Sequence, residues 1–447
     1  MRVAIIGAGI VGVTTAYELA AAGHEVTVFE RRGSVAAETS FANAGVVAPG
    51  YVTPWAAPGM PMKVLGMMFS RHAAIRVRPG LDPSLPAWLW RWWRACRHET
   101  WQANRTRMQR LAVFSRHRLH ELTTRLQLEY ERESGYLVLL RGPKELASAR
   151  AGLKLLTELG GRFHLVDAAQ CRTLEPALNP DTALHAGIHL PDDEVGNCRQ
   201  FAHLLRTEAQ ELGARWCFHT VVQRIVPGKA PQVVHRYMPP AESTQLVIDP
   251  APSGSEDPQT EPAPLEPISE AFDAVVVCAA TGSPELLRPH GLKLPLRAVH
   301  GYSVTAPLRA DDSMAERAPR AALMDERYKV AISRIGSRVR VAGSAEIGGT
   351  LNHHDPRALE TLYKVLNDWF PGAPRMSQAQ RWKGARPMLP DGPPVLGASG
   401  LEGIWLNLGH GSSGWALACG SAFALAQTMA GREAPISLEG LGIERLR

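Results

Sequence analysis

Three closely spaced glycines near the start of the chain constrain the fold more than any other feature of the sequence. They form the pattern GxGxxG, at Gly7, Gly9 and Gly12. The apolar, β-prone run Arg2–Ile6 precedes them, a pattern with helical periodicity covers Ile10–Ala22, and a second apolar run covers Glu25–Phe29. Strand, helix and strand in this order require a parallel pair, so the sequence predicts an α/β fold with this unit at its centre.

The glycine motif and the residue that ends the second strand predict a bound dinucleotide. The first glycine allows a tight turn, the second lets a pyrophosphate approach the backbone and the free N–H groups of the helix, and the third lets helix and strand pack closely. Glu30 ends the second strand, where its carboxylate can accept both ribose hydroxyls and repel a 2′-phosphate. The motif alone leaves FAD and NAD open, and Arg31 with Arg32 keeps NADP open as well. The predicted contacts are Val3, Ala4, Ile5, Ile6, Gly7, Ala8, Gly9, Ile10, Val11, Gly12, Val13, Thr14, Thr15, Ala16, Tyr17, Glu30 and Arg31.

Composition and charge narrow the class of protein. At 447 residues the chain is longer than one hydrophobic core usually organises, so two lobes are expected. The net charge of +6 is too small to indicate a nucleic-acid-binding protein. Six cysteines are scattered without a CxxC pair, which argues against a zinc ribbon or a disulfide framework and favours a reducing compartment. Histidine pairs such as His185 with His189 lack acidic or thiol companions at a suitable spacing, so no metal site is predicted.

The rest of the chain divides into a mixed region, a proline-rich stretch and a second strand-rich region. From Leu85 to Glu129 the pattern is helical and polar. Ten prolines and several acids fall within 227–271, with no Lys or Arg after Arg236, which predicts a flexible insertion without ordered structure. Strand patterns resume at Ala274–Cys278 and continue to Val339–Ala342, as expected of an antiparallel second lobe.

Four further segments carry a resemblance to a known family. They read ETSFANAGVVAPGY at 38–51, YKVAISR at 328–334, GARPMLPDG at 384–392 and GHGSSGWALACGS at 409–421. Together with the glycine motif they closely resemble the small subunit of bacterial D-amino-acid dehydrogenases, within the glycine oxidase and D-amino-acid oxidase superfamily. The resemblance implies FAD, with its adenosine on the glycine motif and its isoalloxazine ring between two lobes. It also implies FAD contacts at Ser40, Asn43, Ala44, Gly45, Val222, Gly282, Gly409, Gly411, Ser412, Ser413 and Gly414.

The resemblance also implies a domain organisation. We expect a Rossmann-type FAD-binding lobe interleaved with an α+β substrate lobe that is built on an antiparallel sheet. The FAD-binding lobe is expected from 1–80, 160–226, 272–296 and 384–447, the substrate lobe from 81–159 and 297–383, and the flexible insertion at 227–271. One departure concerns Ser412 and Ser413, which stand where the family usually has a bulkier pair.

The substrate site is expected around one arginine. A substrate carboxylate needs a bidentate cation, and Arg386 matches the arginine that grips the carboxylate in glycine oxidase and D-amino-acid oxidase, with a surface salt bridge as the alternative. Tyr302 and Tyr328 are expected on strands, where their hydroxyls can border the carboxylate or belong to the core. His410 can assist at a flavin carbonyl or can simply hold a turn.

The expected reaction is the oxidation of D-amino acids, such as D-alanine, to 2-oxo acids and ammonium. FAD accepts the substrate hydride, so no obligatory catalytic acid or base is expected. Tyr51 and Trp55 are candidates for a gate over the pocket. The same motifs also fit enzymes acting on glycine, sarcosine or D-hydroxyproline. A non-catalytic FAD-bearing subunit and an NAD-dependent dehydrogenase are rivals of other classes.

The stretch from Trp88 to Arg118 predicts a membrane contact. It holds five of the eleven tryptophans and eight arginines against one acid, Glu99, a composition that suits an anionic bilayer surface. The tryptophans proposed for the interface are Trp88, Trp90, Trp92 and Trp93. A helix whose indoles pack inward is the alternative. The resemblance implies a quinone or respiratory-chain acceptor and a place in the bacterial cytoplasm, at the inner membrane, and no run of about 20 uncharged apolar residues predicts a spanning helix.

Overall fold

Helices and strands alternate along most of the chain, of which the computed structural model describes residues 1–67, 70–78, 82–238, 266–309 and 317–446. The helices, numbered in chain order, are α1 (Ile10–Ala21), α2 (Met60–Met67), α3 (Leu85–Ala95), α4 (His98–Leu126), α5 (Pro143–Glu158), α6 (Ala168–Leu174), α7 (Cys198–Glu211), α8 (Ser283–Leu287), α9 (Pro356–Trp369) and α10 (Gly414–Met429). The strands are β1 (Arg2–Ile6), β2 (Glu25–Phe29), β3 (Val46–Val47), β4 (Ile75–Val77), β5 (Glu133–Leu140), β6 (His164–Asp167), β7 (Ala186–Val195), β8 (Arg215–Cys217), β9 (Thr220–Val226), β10 (Gln232–Tyr237), β11 (Ile268–Ala271), β12 (Ala274–Val277), β13 (Arg297–Pro307), β14 (Ala322–Asp325), β15 (Val330–Ile335), β16 (Arg338–Ile347), β17 (Gln380–Met388), β18 (Val395–Ala398) and β19 (Ile404–Leu408).

The first strand lies inside a six-stranded sheet with the order β18-β19-β12-β1-β2-β8. β1 pairs in parallel with β2 on one side and with β12 on the other, while β18 runs antiparallel to β19. Val3, Ala4 and Ile5 are fully buried, as expected of a parallel strand that is covered on both faces. The predicted strand, helix and strand are therefore confirmed, and the fold is α/β of Rossmann type.

The second sheet has ten strands and is mainly antiparallel. Eight of them follow the order β17-β13-β16-β15-β14-β5-β7-β3, while β4 pairs with β16 and β6 pairs with β7. Parallel pairing occurs in this sheet at β5-β14 and β4-β16. One face is covered by α9, whose Leu362, Val365 and Trp369 are fully buried at helical spacing. The sheet thus forms the base of a second, α+β lobe.

The lobe boundaries differ from the expected ones at several places. β3 and β4 belong to the ten-stranded sheet, although 1–80 was expected in the FAD-binding lobe. β6 and β7 belong to the ten-stranded sheet, where β7 pairs with β5, although 160–226 was expected in the FAD-binding lobe. β17 starts before the expected boundary at 384. The alternation of apolar residues predicts a strand but carries no information about which sheet the strand joins, because its partner is distant in the sequence.

The expectation that 227–271 lacks ordered structure is wrong at both ends of this range. β10 pairs antiparallel with both β9 and β11, which gives a three-stranded sheet. Val233 of β10 is fully buried against Phe29 and Ile225, so a short apolar pattern outweighs the proline content of its surroundings. Most of the prolines fall within 239–265, which lies outside the described residues.

A buried ion pair joins α4 to α1. Together with α10, these two helices form a layer that packs on the six-stranded sheet. Arg118 donates from Nε to Oε1 of Glu18 at 2.8 Å and from Nη2 to Oε2 at 2.7 Å. The guanidinium also lies over the ring of Phe423, 4.1 Å from its centre. The bidentate geometry fixes α4 against the helix that starts at the glycine motif.

Candidate active site

A cavity of about 850 Å³ is lined by residues of both lobes. The six-stranded side contributes the glycine turn before α1, the segment 39–45 that follows β2, and the glycine-dense segment 409–416. The ten-stranded side contributes residues of β13, β16 and β17, and α4 and α5 complete the wall. Segments that are far apart in the sequence therefore meet around one enclosed space.

The glycine turn before α1 has little room for side chains. Gly7 has a φ of +101°, and a Cβ added there would lie 2.8 Å from the carbonyl oxygen of Cys278. A Cβ at Gly12 would overlap the carbonyl oxygen of Gly7. A Cβ at Gly9 would meet only the hydroxyl of Ser40, at 3.7 Å, so Gly9 instead keeps the backbone open toward the cavity. Each glycine is thus placed as its motif position predicts.

The predicted dinucleotide contacts divide into lining and supporting residues. Gly9–Val11 line the cavity, whereas Val3–Ile6 form the core of β1 and Val13–Tyr17 lie buried in α1. Val222 on β9 and Gly282 after β12 are not part of the cavity wall. The contacts predicted from a whole strand and helix therefore reduce, at the cavity, to Gly9 and the first two residues of α1. Gly7, Ala8, Gly12, Glu30 and Arg31 are not part of its wall.

Glu30 ends β2 with both carboxylate oxygens bonded to the backbone. Oε2 accepts the N–H of Ala8 at 2.7 Å, and Oε1 accepts the N–H of Arg32 at 2.8 Å. Burial raises the pKa of Glu30, and the two N–H groups partly offset this effect. Because each carboxylate oxygen has a further lone pair, Glu30 can still accept a ribose hydroxyl.

Arg31 and Arg32 are both paired with Glu38. Arg31 donates two hydrogen bonds to this carboxylate, at 2.8 and 2.7 Å, and Nε of Arg32 donates a third at 2.7 Å. Burial opposes the ionisation of Glu38, but the two guanidiniums outweigh it and hold the pKa of this carboxyl below its usual range. A 2′-phosphate would have to compete with Glu38 for both cations, which disfavours the NADP alternative.

The segment Ala42–Gly45 is held in place by side chains from other elements. Its successive carbonyl oxygens accept hydrogen bonds from Ser303 Oγ (2.8 Å), Arg340 Nη1 (2.9 Å), Ser333 Oγ (2.7 Å) and Trp415 Nε1 (3.1 Å). Ser40 lies just upstream, and its Oγ accepts the N–H of Ile10 at 3.1 Å. Because all four carbonyls are bonded away, the segment has a fixed conformation where it lines the cavity. The small residues predicted the segment, but its four donors come from distant parts of the chain.

α10 begins at the cavity, as α1 does. The N-cap residues, Gly9 for α1 and Ser413 for α10, make no capping hydrogen bond through a side chain, and neither first turn contains an acid. Positive φ angles at Gly409 (+77°) and Gly411 (+57°) shape the approach to α10. The partial positive charges of two helix N-termini thus meet one cavity, which suits a diphosphate at α1 and an electron-rich flavin carbonyl at α10. The residues present therefore fit FAD.

His410 is buried, and its ring is held by α10. Its Nε2 lies 3.0 Å from Oγ of Ser421. Burial lowers the pKa of His410 to about 3, so the ring is neutral near pH 7. A backbone bridge to Met388 anchors the same turn. The geometry favours the structural alternative for His410, as the residue that fixes the glycine-dense turn.

Arg386 lies in the cavity wall and forms no ion pair with any described residue. Its Nη1 donates to the carbonyl oxygen of Ser344 at 2.8 Å, and its guanidinium carbon lies 6.0 Å from the ring centre of Trp55. Burial lowers the pKa of Arg386 to about 10, so the side chain stays charged near pH 7. A Cβ at Gly301, on the neighbouring strand β13, would overlap this guanidinium. The alternative of a surface salt bridge is therefore wrong, and Gly301 is a site residue that its place inside a strand could have revealed.

The two tyrosines that were predicted on strands do not offer their hydroxyls to a substrate. Tyr302 lies on β13 in the cavity wall, but its hydroxyl donates to Glu346 and accepts the N–H of Asp355 at 3.1 Å. Tyr328 lies outside the cavity wall, in the turn between β14 and β15, with the guanidinium carbon of Arg141 5.1 Å from its ring centre. The predicted role is wrong for Tyr302 because successive side chains of a strand point to opposite faces and Gly301 holds the position next to Arg386, and for Tyr328 because it is not part of a strand.

Further tyrosines and a second arginine also line the cavity. Tyr51 and Trp55, the expected gate, are both in its wall, as are Tyr136 and Arg105. Arg105 is one of the eight arginines between Trp88 and Arg118, a stretch for which a membrane contact was predicted. Its helical spacing from the buried Trp101 and Met108 was the available signal that it lies on the inner face of α4. Within the described ranges, no group of three or more His, Cys, Asp and Glu side chains is placed to hold a metal.

Comparison with known proteins agrees with this geometry. A family model described as FAD dependent oxidoreductase matches residues 2–428. D-amino acid dehydrogenase from Rhizorhabdus wittichii is 41% identical over 447 residues, with 100% of each chain covered, and that from Cereibacter sphaeroides is 42% identical, covering 100% of this chain and 95% of the relative. The crystal structure of glycine oxidase from Geobacillus kaustophilus shares the fold, with a TM-score of 0.71 at 18% identity over 99% of this chain and 98% of that one. The chain therefore belongs to the FAD dependent oxidoreductase family, with FAD as its cofactor.

Proposed function

We propose that this protein oxidises the carbon–nitrogen bond of D-amino acids and so yields a 2-oxo acid and ammonium. The observation that carries the proposal is Arg386, a half-buried guanidinium that forms no ion pair with a described residue and lies in a cavity whose other walls fit FAD. A cation of this kind suits a ligand carboxylate. The D configuration is supported by the names of the full-length relatives.

The residues around Arg386 orient the substrate rather than transfer its protons. The bond from Nη1 to the carbonyl of Ser344 fixes the plane of the guanidinium, and Gly301 leaves the space that the guanidinium occupies. The neutral ring of His410 adds no competing charge. FAD, when bound, supplies the hydride acceptor. The task of the chain is to hold the substrate Cα–H in position and to keep bulk water from the reacting atoms.

Anaerobic mixing of the purified yellow protein with amino acids tests this proposal. We expect the flavin absorbance to bleach with D-alanine and other neutral D-amino acids, and to persist with the L enantiomers. Bleaching only with glycine, sarcosine or D-hydroxyproline would move the protein to one of the alternative substrate classes. A flavin that no amino acid reduces would overturn the proposal and leave a non-catalytic FAD-bearing subunit.

We further propose a quinone of the bacterial inner membrane as the electron acceptor, with the protein bound to the cytoplasmic face. The support is an exposed apolar surface on α2 and α3, formed by Met62, Leu65, Trp90 and Trp93, with exposed fractions of 73%, 56%, 54% and 56%. The guanidinium carbon of Arg94 lies 4.8 Å from a ring centre of Trp90. No helix in the described ranges is long and apolar enough to cross a membrane.

The extent of the tryptophan surface is smaller than the sequence predicted. Trp88 and Trp101 are buried, and Trp92 packs in the contact between α2 and α3. Arg105 and Arg118 face the interior. Only part of the predicted stretch thus remains for a bilayer, because one helix face is used for packing.

Flotation with anionic phospholipid vesicles tests this surface. We expect the parent protein to float with the vesicles and the double variant Trp90→Ala/Trp93→Ala to remain at the bottom. The matched control is Leu165→Ala/Leu212→Ala, which removes two apolar side chains that are exposed elsewhere. Equal flotation of parent and tryptophan variant would contradict the contact. Quinone reduction in vesicles, compared with oxygen consumption, tests the acceptor.

A further inference from the structure

The second arginine of the cavity, Arg105, is buried, and no hydrogen bond or ion pair joins its side chain to another described residue. It is 7% exposed, and its Nε lacks a hydrogen-bond partner. Its ring neighbour is Trp101, whose centre lies 5.6 Å from the guanidinium carbon. Burial lowers the pKa of Arg105, as expected for a cation without a counter-ion. Such a group is costly for a fold, so its retention needs an explanation.

The opposite helix makes room for this guanidinium. Gly152 lies within α5, where glycine is about 1 kcal/mol less favourable than alanine. A Cβ at Gly152 would lie 2.9 Å from Nη1 of Arg105. The helix thus carries a residue that weakens it locally at the point where the guanidinium approaches.

A second polar atom of the cavity wall also lacks a partner among the described residues. The hydroxyl of Tyr136 is buried there without a hydrogen bond. Burial raises the pKa of Tyr136 well above its usual value, so the hydroxyl remains a donor. The rings of Tyr136 and Tyr51 meet edge to face with 5.7 Å between their centres, and both line the cavity together with Arg105.

The acids at this end of the cavity are already balanced by other cations. Glu326 accepts the hydroxyl of Tyr51 at 2.6 Å and pairs with Lys329. Glu145 pairs with Arg327. These acids therefore provide no partner for the guanidinium of Arg105 or the hydroxyl of Tyr136. Both of these groups are hydrogen-bond donors.

Arg105 and Arg386 border one cavity. The guanidinium carbon of Arg386 lies 6.0 Å from the ring centre of Trp55, and that of Arg105 lies 5.6 Å from the ring centre of Trp101. Because both guanidiniums border the same space, a ligand whose two anionic ends are joined by a chain of matching length can address both.

We propose that Arg105 and Tyr136 bind a second carboxylate, so that D-amino acids whose side chain ends in a carboxylate are preferred substrates. The α-carboxylate binds Arg386 and the side-chain carboxylate binds Arg105. This inference rests on the proposed function for its reaction, but the second anion site can be measured without turnover.

Binding of dicarboxylates that cannot be oxidised tests the site directly. In the FAD-loaded protein, glutarate is expected to bind about 100-fold more tightly than pentanoate, because only glutarate reaches both arginines. Arg105→Met should abolish this difference, and Arg105→Lys should keep part of it. Arg110→Met is the matched control, since Arg110 lies on the same helix but outside the cavity wall. Equal affinities in the parent would overturn the proposal.

Turnover then assigns the substrate class. The ratio of kcat/KM for D-glutamate to that for D-glutamine should fall about 100-fold in Arg105→Met, and the pairs D-aspartate with D-asparagine and D-2-aminoadipate with its amide report the best chain length. Gly152→Ala should lower the ratio less, by displacing the guanidinium. An unchanged ratio, or equal losses for acid and amide, would overturn the assignment. If no D-amino acid is oxidised, the glutarate titration still decides whether Arg105 holds an anion, so the two proposals fail separately.

Discussion

Helix α4 carries two buried arginines with opposite environments. Arg118 is bound by both oxygens of Glu18, whereas Arg105, about 20 Å away along the same helix, forms no ion pair within the part of the chain that the structure describes. Both side chains are almost fully buried, so solvent exposure does not separate them. What differs is the neighbourhood: Arg118 lies in a packed helical layer and Arg105 in a cavity. A buried charge that has its partner within the chain holds the fold, and one that lacks it is available to a ligand.

Arg340 shows a third arrangement. It is 6% exposed and pairs with no carboxylate of the described residues, yet its Nη1 donates to the carbonyl of Asn43 and its Nε to the hydroxyl of Thr305, each at 2.9 Å. Neutral acceptors satisfy this guanidinium. The absence of an ion pair therefore identifies a ligand site only where the hydrogen-bond donors are unused as well.

Breaking the Arg118 pair should have the largest effect on the fold. Arg118→Met leaves Glu18 buried without its cation, which should lower the apparent free energy of unfolding by about 3 to 5 kcal/mol, measured by chemical denaturation. KM should change little in the molecules that remain folded. Replacing both partners, in Glu18→Met/Arg118→Met, should restore most of the loss. A single variant as stable as the parent would show that the pair contributes little.

Removing Arg386 should instead affect substrate turnover. Arg386→Met is expected to reduce kcat/KM for D-alanine roughly 30- to 5,000-fold, because the substrate carboxylate loses its cation. This factor corresponds to a loss of about 2 to 5 kcal/mol of interaction free energy. The melting temperature should stay the same or rise, since an unpaired buried charge disappears. Arg375→Met, at an exposed arginine, serves as the control. A large loss of stability with unchanged kcat/KM would place Arg386 in the class of Arg118.

The same comparison applies to a carboxylate, Asp193. Burial raises its pKa to about 7, while the N–H of Gly50 and the more distant Arg116, at 3.7 Å, offset this only partly. Between about pH 4 and pH 7 the folded protein therefore holds a proton that the unfolded chain has lost, and stability falls as the pH rises. Asp193 lowers the free energy of unfolding by at most about 1.4 kcal/mol for each pH unit in this range.

Asp193→Asn should remove this slope, which denaturation at a series of pH values from 5 to 7 measures. The control is Asp192→Asn. The hydrogen bond from Arg162 lowers the pKa of Asp192, so its contribution is lost only as the pH falls toward that lowered pKa. The control should therefore leave the slope from pH 5 to 7 unchanged, and the same slope in parent and Asp193→Asn would refute the assignment.

Removing a neutral hydrogen bond to the segment Ala42–Gly45 should have the smallest effect. Ser333→Ala removes the donor to the carbonyl of Ala44. The expected loss is about 1 kcal/mol, or roughly 5-fold weaker retention of FAD, measured by the release of flavin fluorescence on dilution. Ser437→Ala, near the end of the chain, controls for the change of a hydroxyl outside the cavity. If Ser333→Ala weakened FAD retention as much as the loss of a charged partner is expected to, the distinction between neutral and ionic partners would not hold for this segment.

Local patterns in the sequence predicted those features whose cause is local. The first strand, helix and strand depend on glycines and apolar residues within thirty positions, and they were found where expected. Arg386 was predicted because its short motif GARP resembles the motif of the carboxylate-binding arginine in glycine oxidase and D-amino-acid oxidase. Both predictions needed only residues close to each other in the chain.

Features that depend on distant partners were not predictable from pattern alone. Tyr302 was chosen although its neighbour Gly301 faces the arginine, since a shift of one residue along a strand reverses the face. Arg105 was assigned to a membrane surface because the pattern of α4 does not show which helix packs against it. Which face of a strand or helix is directed inward depends on pairing between segments that are far apart in the chain, as with β5 and β14.

The three-stranded sheet has a consequence for protein engineering. β10 and β11 are paired neighbours, with His235 opposite Ile268, so the chain between them starts and returns at the same edge. The entropy of closing a loop rises only by about 0.6 kcal/mol for each doubling of its length. None of these strands lines the cavity. A reporter domain or an affinity tag placed in this connection should therefore leave the flavin chemistry intact, and relatives can differ widely in its length without changing their substrates.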